Sequence, residues 1–160
     1  MSAGLSDMSF HRQGGWRNQF HRLQRWHSRV TRLGPGTSPD EQDILYAFFQ
    51  NCLALRDWLK HSGAVSAVDV DKFVRSNREL LLCRDLANGT KHYELSSPSI
   101  DANFFLCREY VPPSSAASRS GRDSRPVICS GGTKSDLFDL ADTCMELWVE
   151  FLAAHSLLRS

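Results

Sequence analysis

Apolar residues return at three- and four-residue steps through most of this chain, with polar residues between them, which is the spacing of helices that bury one face. The first such stretch follows Gly14-Gly15 and carries Trp16, Phe20, Leu23, His27, Val30 and Leu33 before Gly34-Pro35-Gly36 stops it. The second opens on Ser38 as N-cap, Pro39 in the first helical position and Asp40 and Glu41 in the first turn. Its broad apolar face holds Ile44, Leu45, Phe48, Phe49, Cys52, Leu55 and Leu59, with Arg56 inside that arc, and it is predicted to end near His61, before Gly63. A third helix is predicted from Val68 or Asp69 to Asn88, with Asn88-Gly89 supplying a left-handed stop. Tyr93, Leu95 and residues 104–111 then read as extended segments, and Val127-Ile128-Cys129 as a short strand. Gly131-Gly132 makes a turn, and Ser135-Asp136 opens a last helix with Leu137, Leu140, Ala141, Cys144, Leu147, Trp148, Phe151 and Leu152 inside. Residues 1–14 read as a frayed N-terminus and the Ser/Arg/Pro-rich 112–126 as a flexible loop. The expected fold is one mainly α domain over 1–160. It is an antiparallel bundle of about four helices with a small β-hairpin inserted before the C-terminal helix.

The polar residues inside these apolar arcs are the candidate site. At about 100° per residue from Val70, the arc set by Phe73, Val74, Leu80 and Leu81 also contains Asn77, Arg84 and Asn88. An unpaired buried guanidinium costs several kcal/mol, so a neighbouring helix or a ligand must satisfy such a stripe. Arg84, Asp85 and His92 are the candidate catalytic residues there, with Asn77, Asn88 and Lys91 as a binding or structural network. Arg56, Asp57 and His61 form a second constellation. Arginine offers a planar fork for phosphate oxygens, and histidine moves protons near neutral pH. Together they suit attack by a ribose 2′-hydroxyl without a metal, the aspartate orienting. His61 projects about 140° around the helix from Arg56, so that pair converges only if the helix unwinds near Leu59 or His61 swings back.

Composition sets bounds on this chemistry. With 160 residues, 41% of them hydrophobic, and a net charge of +1, the chain suits one core and gives no global attraction to nucleic acid or membrane. Charge is unevenly placed, however. Arg12, Arg17, Arg22, Arg25, Arg29 and Arg32 lie in a stretch without acids, and Asp136, Asp139, Asp142, Glu146 and Glu150 in one without lysine or arginine. Either the two terminal helices attract each other as neighbours, or the first presents a basic face to RNA or an acidic protein partner. Trp26, flanked by Arg25 and Arg29, is the tryptophan best placed to stack on a base. Cys52, Cys83, Cys107, Cys129 and Cys144 are odd in number and never spaced as CxxC. That predicts reduced thiols in a cytoplasmic protein, with no disulfide framework, metal or cofactor. No apolar run approaches the length of a membrane span. Ser130-Gly131-Gly132-Thr133-Lys134-Ser135 lacks phosphate-loop spacing.

A helical core with an arginine, a following polar residue and a nearby histidine resembles the HEPN superfamily, many of whose members are metal-independent endoribonucleases of toxin, phage-defence and RNA-processing systems. Arg56 and His61, with Asp57 following, match the family's spacing of the two residues, whereas Arg84 and His92 stand further apart than it allows. The resemblance implies an endoribonuclease or RNA-binding effector of a bacterial defence or toxin-type system. The alternative is a noncatalytic protein-interaction module in which Arg84, Asp85, Asn77 and Asn88 close a hydrogen-bond network. Residues 46–52, Asp57-Trp58-Leu59, the CRDxANGxKH stretch from Cys83 to His92, and Asp139-Leu140-Ala141-Asp142 with Trp148 also resemble an uncharacterised family of small bacterial proteins. That likeness implies a shared architecture, points to Arg84, Asp85, Asn88, Lys91 and His92, and brings no mechanism.

Overall fold

Capping signals and apolar periodicity place the helices of the computed structural model, which describes residues 12–34, 38–92, 95–112 and 123–158. Among these, α1 (Gly15–Thr31), α2 (Pro39–Ser62), α3 (Ala67–Ser76) and α4 (Arg78–Lys91) precede β1 (Phe105–Tyr110), β2 (Ser124–Ser130) and β3 (Thr133–Asp136), and α5 (Leu137–Ala154) closes the chain. The protein is mainly helical with a small antiparallel sheet. The Ser38 hydroxyl accepts from the Glu41 N–H at 3.2 Å, and Gly63 ends α2 at φ 71°, a conformation that favours glycine. The long α2 packs against α1 and α4, while α5 lies against α1, α2 and α4. Between them sits a core that includes Phe20, Leu23, Phe48, Phe49, Leu55, Leu86, Trp148 and Leu152.

The expected third helix is two helices. Asn77 adopts φ −120° and ψ 111°, ends α3 and starts α4, and its Nδ2 donates 2.8 Å to the Phe73 carbonyl. One extended residue resets the helical phase, so the arc of Val70 and Val74 does not continue into α4. The α4 residues turned inward are Leu80, Leu82, Cys83, Asp85, Leu86 and Ala87. Arg84 and Asn88 are half-buried and Lys91 and His92 exposed, which corrects the expected core-facing stripe. Gly89 is likewise helical rather than a left-handed stop. A Cβ there would stand 2.5 Å from Cζ of Phe104, so the glycine makes room for a ring.

The hairpin is extended by a third strand, in the order β1-β2-β3. Phe105 pairs with Cys129 and Tyr110 with Ser124, while Val127 pairs with Asp136 and Ser130 with Thr133. Ser135 therefore belongs to β3, and Asp136 caps α5 by accepting from the Phe138 and Asp139 N–H groups. Ser124, Arg125 and Pro126 belong to β2 rather than to a loop, and the Val111 N–H donates 2.8 Å to the Asp123 carbonyl just beyond the ladder. The rest of the expected loop, 113–122, lies outside the described residues, as do 1–11 of the expected frayed end and Tyr93. Residues 12–14 turn into α1, with the Asn18 amide donating to the Gln13 carbonyl, and Leu95 is in no strand.

Asp85 ties helix to sheet. It is fully buried, and its two oxygens accept the Ser99 N–H at 2.6 Å and the Ile100 N–H at 2.9 Å. Asp101 then accepts from Asn103 and from Gly131 in the β2–β3 turn, and Arg78 donates to the Ser130 carbonyl and the Thr133 hydroxyl. Asp85→Ala should cost about 2–4 kcal/mol, because it strands two backbone donors. Arg84→Ala should change stability by less than about 0.5 kcal/mol. Urea melts of both variants decide: equal losses would show that Asp85 is not the anchor.

Candidate functional site

The structure does not assemble Arg84, Asp85 and His92 into one site. The Asp85 carboxylate is taken by the loop before β1. Arg84 has no hydrogen-bonding or ionic partner among the described residues, and it shares an outer face with Asn88 and Lys91, one and two turns on. His92 is the exposed C-cap of α4, about 12 Å further along the helix axis than Arg84. Asn77 sits in the break between the helices, bonded to Phe73.

Arg56 and His61 also part company, because α2 stays helical through Ser62. Arg56 donates from Nε at 3.1 Å and Nη2 at 2.7 Å to one oxygen of Asp71 on α3, and Lys60 donates 2.7 Å to the other. These bonds, the one from Lys60 first, hold the Asp71 carboxyl below its ordinary pKa. Arg56 is therefore a clamp between α2 and α3. His61 lies exposed with Nδ1 2.8 Å from the Asp57 carbonyl, which can only accept, so Nδ1 carries the hydrogen and Nε2 is the basic nitrogen of the neutral ring.

Asp57 and His61 instead line a cleft of about 730 Å³ between the start of α1 and the end of α2. Arg12 and Arg17 stand there in place of Arg56, together with Trp16 and Trp58. Gly14 at φ 75° and Gly15 at φ 55° let the chain turn into α1 so that Arg12 reaches this cleft. The Arg17 guanidinium lies over the Trp16 ring at 4.6 Å. Two arginines against one aspartate, beside aromatic rings, suit an anionic ligand that has a flat apolar part.

The cleft opens onto the arginine face of α1. Arg17, Arg25 and Arg32 fall within about 80° of one another around the helix over about 22 Å of its length, and all three are exposed. None of them forms an ion pair among the described residues. Arg22 instead supports the buried Gln19, whose amide donates to Asn51, and Arg29 covers the Trp26 ring at 4.3 Å. Helices α1 and α5 are indeed neighbours. One contact between them is the hydrogen bond of His27 Nε2 with Asp142 Oδ1 at 2.8 Å.

Sequence reasoning missed an all-sulfur cluster. Cys52 of α2, Cys83 of α4 and Cys144 of α5 are buried, with their Sγ atoms within 4.8 Å of one another. They are 31 and 61 residues apart in the chain, and the sequence pattern places Cys52 and Cys144 on inner faces but Cys83 outside the apolar arc expected for its helix. Cys107 and Cys129 lie on the sheet, exposed and half-buried.

Asp71 yields a pH test. Its pKa is lowered in the folded state, so the stability it contributes is present above about pH 4 and is lost as pH falls through the folded-state value. Asp71→Asn should cost about 0.5–1 kcal/mol near pH 7, the scale of a solvent-screened ion cluster. Its urea midpoint should converge with that of the wild type below about pH 3. A gap that stays constant across this range would show that the ion cluster does not stabilise the fold. Comparisons of the chain with known protein families, with curated proteins and with solved structures return no match.

Proposed function

We propose that the protein is an RNA-binding module that grips a single-stranded phosphate backbone with the arginine face of α1 and seats a nucleotide in the cleft at its start. The helices, read as an antiparallel bundle with the sheet inserted before α5, hold α1 outward on a rigid frame. The observation that carries the reading is the run of exposed Arg17, Arg25 and Arg32, none in an ion pair among the described residues, leading into a cleft with Arg12, Trp58 and His61. Arginine forks match phosphate oxygens, and the half-buried Trp58 offers a ring on which any base can stack.

His61 in that cleft favours a second reading, a HEPN-like metal-independent endoribonuclease. Its basic nitrogen would take the 2′-hydroxyl proton, while Arg12 or Arg17, rather than Arg56, would hold the phosphate. A protein-interaction module is the outcome if RNA is ignored.

Fluorescence anisotropy with a labelled oligouridine in EDTA tests the binding. Arg17→Ala with Arg25→Ala should weaken it about tenfold and reduce the salt slope by about 1.4, or about 0.7 for each lost phosphate contact on a single strand. Trp58→Ala should cost about 1–3 kcal/mol. Absence of binding at low salt, or arginine variants that bind like wild type, rejects the proposal. If gels of the same mixtures show cleavage, His61→Ala should abolish it while His92→Ala leaves it intact, and DNA of the same length should survive.

A further inference from the structure

Three helices each bring one thiol to the same point of the core. Cys52, Cys83 and Cys144 are 2% exposed or less, and their sulfurs lie within 4.8 Å of one another. A single buried cysteine is explained as a small apolar residue, but here three sulfurs from three helices lie together, and in the thiol form Cys83 and Cys144 donate to the Phe49 and Glu79 carbonyls at 3.5 Å, bonds that a bound metal would replace. An ion holding each sulfur at about 2.3 Å would set them about 3.8–4.0 Å apart, so closing onto a metal asks for less than about 1 Å of movement.

Two neighbouring groups fit such an ion. The crevice beside Cys52 and Cys83 is also lined by Trp148 and Arg56. The indole N–H of Trp148 is buried without a hydrogen-bond partner, and a thiolate sulfur would accept it. Arg56 lines the same crevice and is partly exposed, so the Arg56–Lys60–Asp71 cluster brings a net positive charge near the thiols. No imidazole or carboxylate joins the cluster among the described residues, which leaves an all-sulfur donor set that selects soft ions.

We propose that Cys52, Cys83 and Cys144 form a three-thiolate site for one thiophilic d10 ion, Cu(I) or Zn(II). On binding, three S–H bonds are exchanged for three metal–sulfur bonds and three protons leave to solvent, with no change of oxidation state. Zn(II) would complete a tetrahedron with a water in the crevice, whose volume of about 10 Å³ admits one such molecule, whereas Cu(I) needs no fourth ligand. The site uses none of the residues assigned to RNA, so its test is independent of that reading.

The experiment uses the full chain carrying Cys107→Ser and Cys129→Ser, reduced with a phosphine and stripped of metal. It is titrated with Cd(II), as an optical substitute for Zn(II), and separately with Cu(I) under nitrogen in the presence of a competing chelator. At least one ion should raise an ultraviolet thiolate-to-metal charge-transfer band that saturates at one equivalent, and native mass spectrometry should show one metal bound. The melting temperature should rise in step. Saturation by Cu(I) alone assigns the trigonal site, and saturation by Cd(II) assigns the Zn(II) form. Cys83→Ala and Cys144→Ala should weaken binding by at least the roughly 100-fold that loss of an outer-shell partner can cost, with circular dichroism confirming that they fold. The titration of the parent does not depend on those variants folding. If neither ion gives a band saturating at one equivalent, the three cysteines are core residues only and the proposal is overturned.

Discussion

Asp85 is the interaction on which the rest of the structure depends. A carboxylate with no exposed surface is tolerable only when charge-assisted hydrogen bonds replace its lost water, and here two consecutive backbone N–H groups do so. The bonds fix the chain leaving α4, and Asp101 carries the connection on to the β2–β3 turn, where Arg78 returns to α4. A second anchor comes from the other side, where the buried Glu41 at the start of α2 pairs with Arg108 of β1. The small three-stranded sheet is thereby held on the helices by polar contacts at its edges and by Ile128, which joins the helical core.

The same economy shapes the surface chemistry. Arg56 looks available in the sequence, yet two cations share one carboxylate on α3, and that guanidinium is committed to joining helices. Arg17, Arg25 and Arg32 on the α1 face have no carboxylate partner among the described residues, and α1 meets its acidic neighbour α5 at His27 and Asp142. Exposed basic charge therefore stands on the α1 face and at the cleft, although the chain as a whole is almost neutral. The thiol cluster lies on the inner side of Arg56, so one residue borders both the α2–α3 ion cluster and the sulfur-lined crevice.

How much of this was legible depends on the range of the forces involved. Ser38, Pro39 and Gly63 act within one turn of backbone, and the bounds of α2 follow from them almost without error. The inner face of α5 is similarly legible, since every residue expected there is buried except Leu147, which is half-buried. Asn77 was not legible, because an asparagine side chain can bond the carbonyl four residues back whether the helix continues or breaks, and only packing selects between the two. That single residue moved Arg84 out of the core and Asp85 in. Gly89 misled for a related reason: its purpose is the Phe104 ring, 15 residues on, and no local rule refers to that ring.

The sequence by itself determined the mainly helical class, most helix ends, the placing of basic and acidic stretches and the candidate residues, because propensity, capping and amphipathic period are properties of neighbouring residues. The tertiary structure alone decided which candidates meet. It gave Arg56 to Asp71, Asp85 to the loop before β1 and His61 to a cleft with Arg12 and Arg17, and it brought together three thiols spread over 93 positions, Cys52 to Cys144 inclusive. Those meetings depend on the relative rotation and register of packed helices. The burial of many apolar side chains at once sets both, and no short stretch of sequence encodes them.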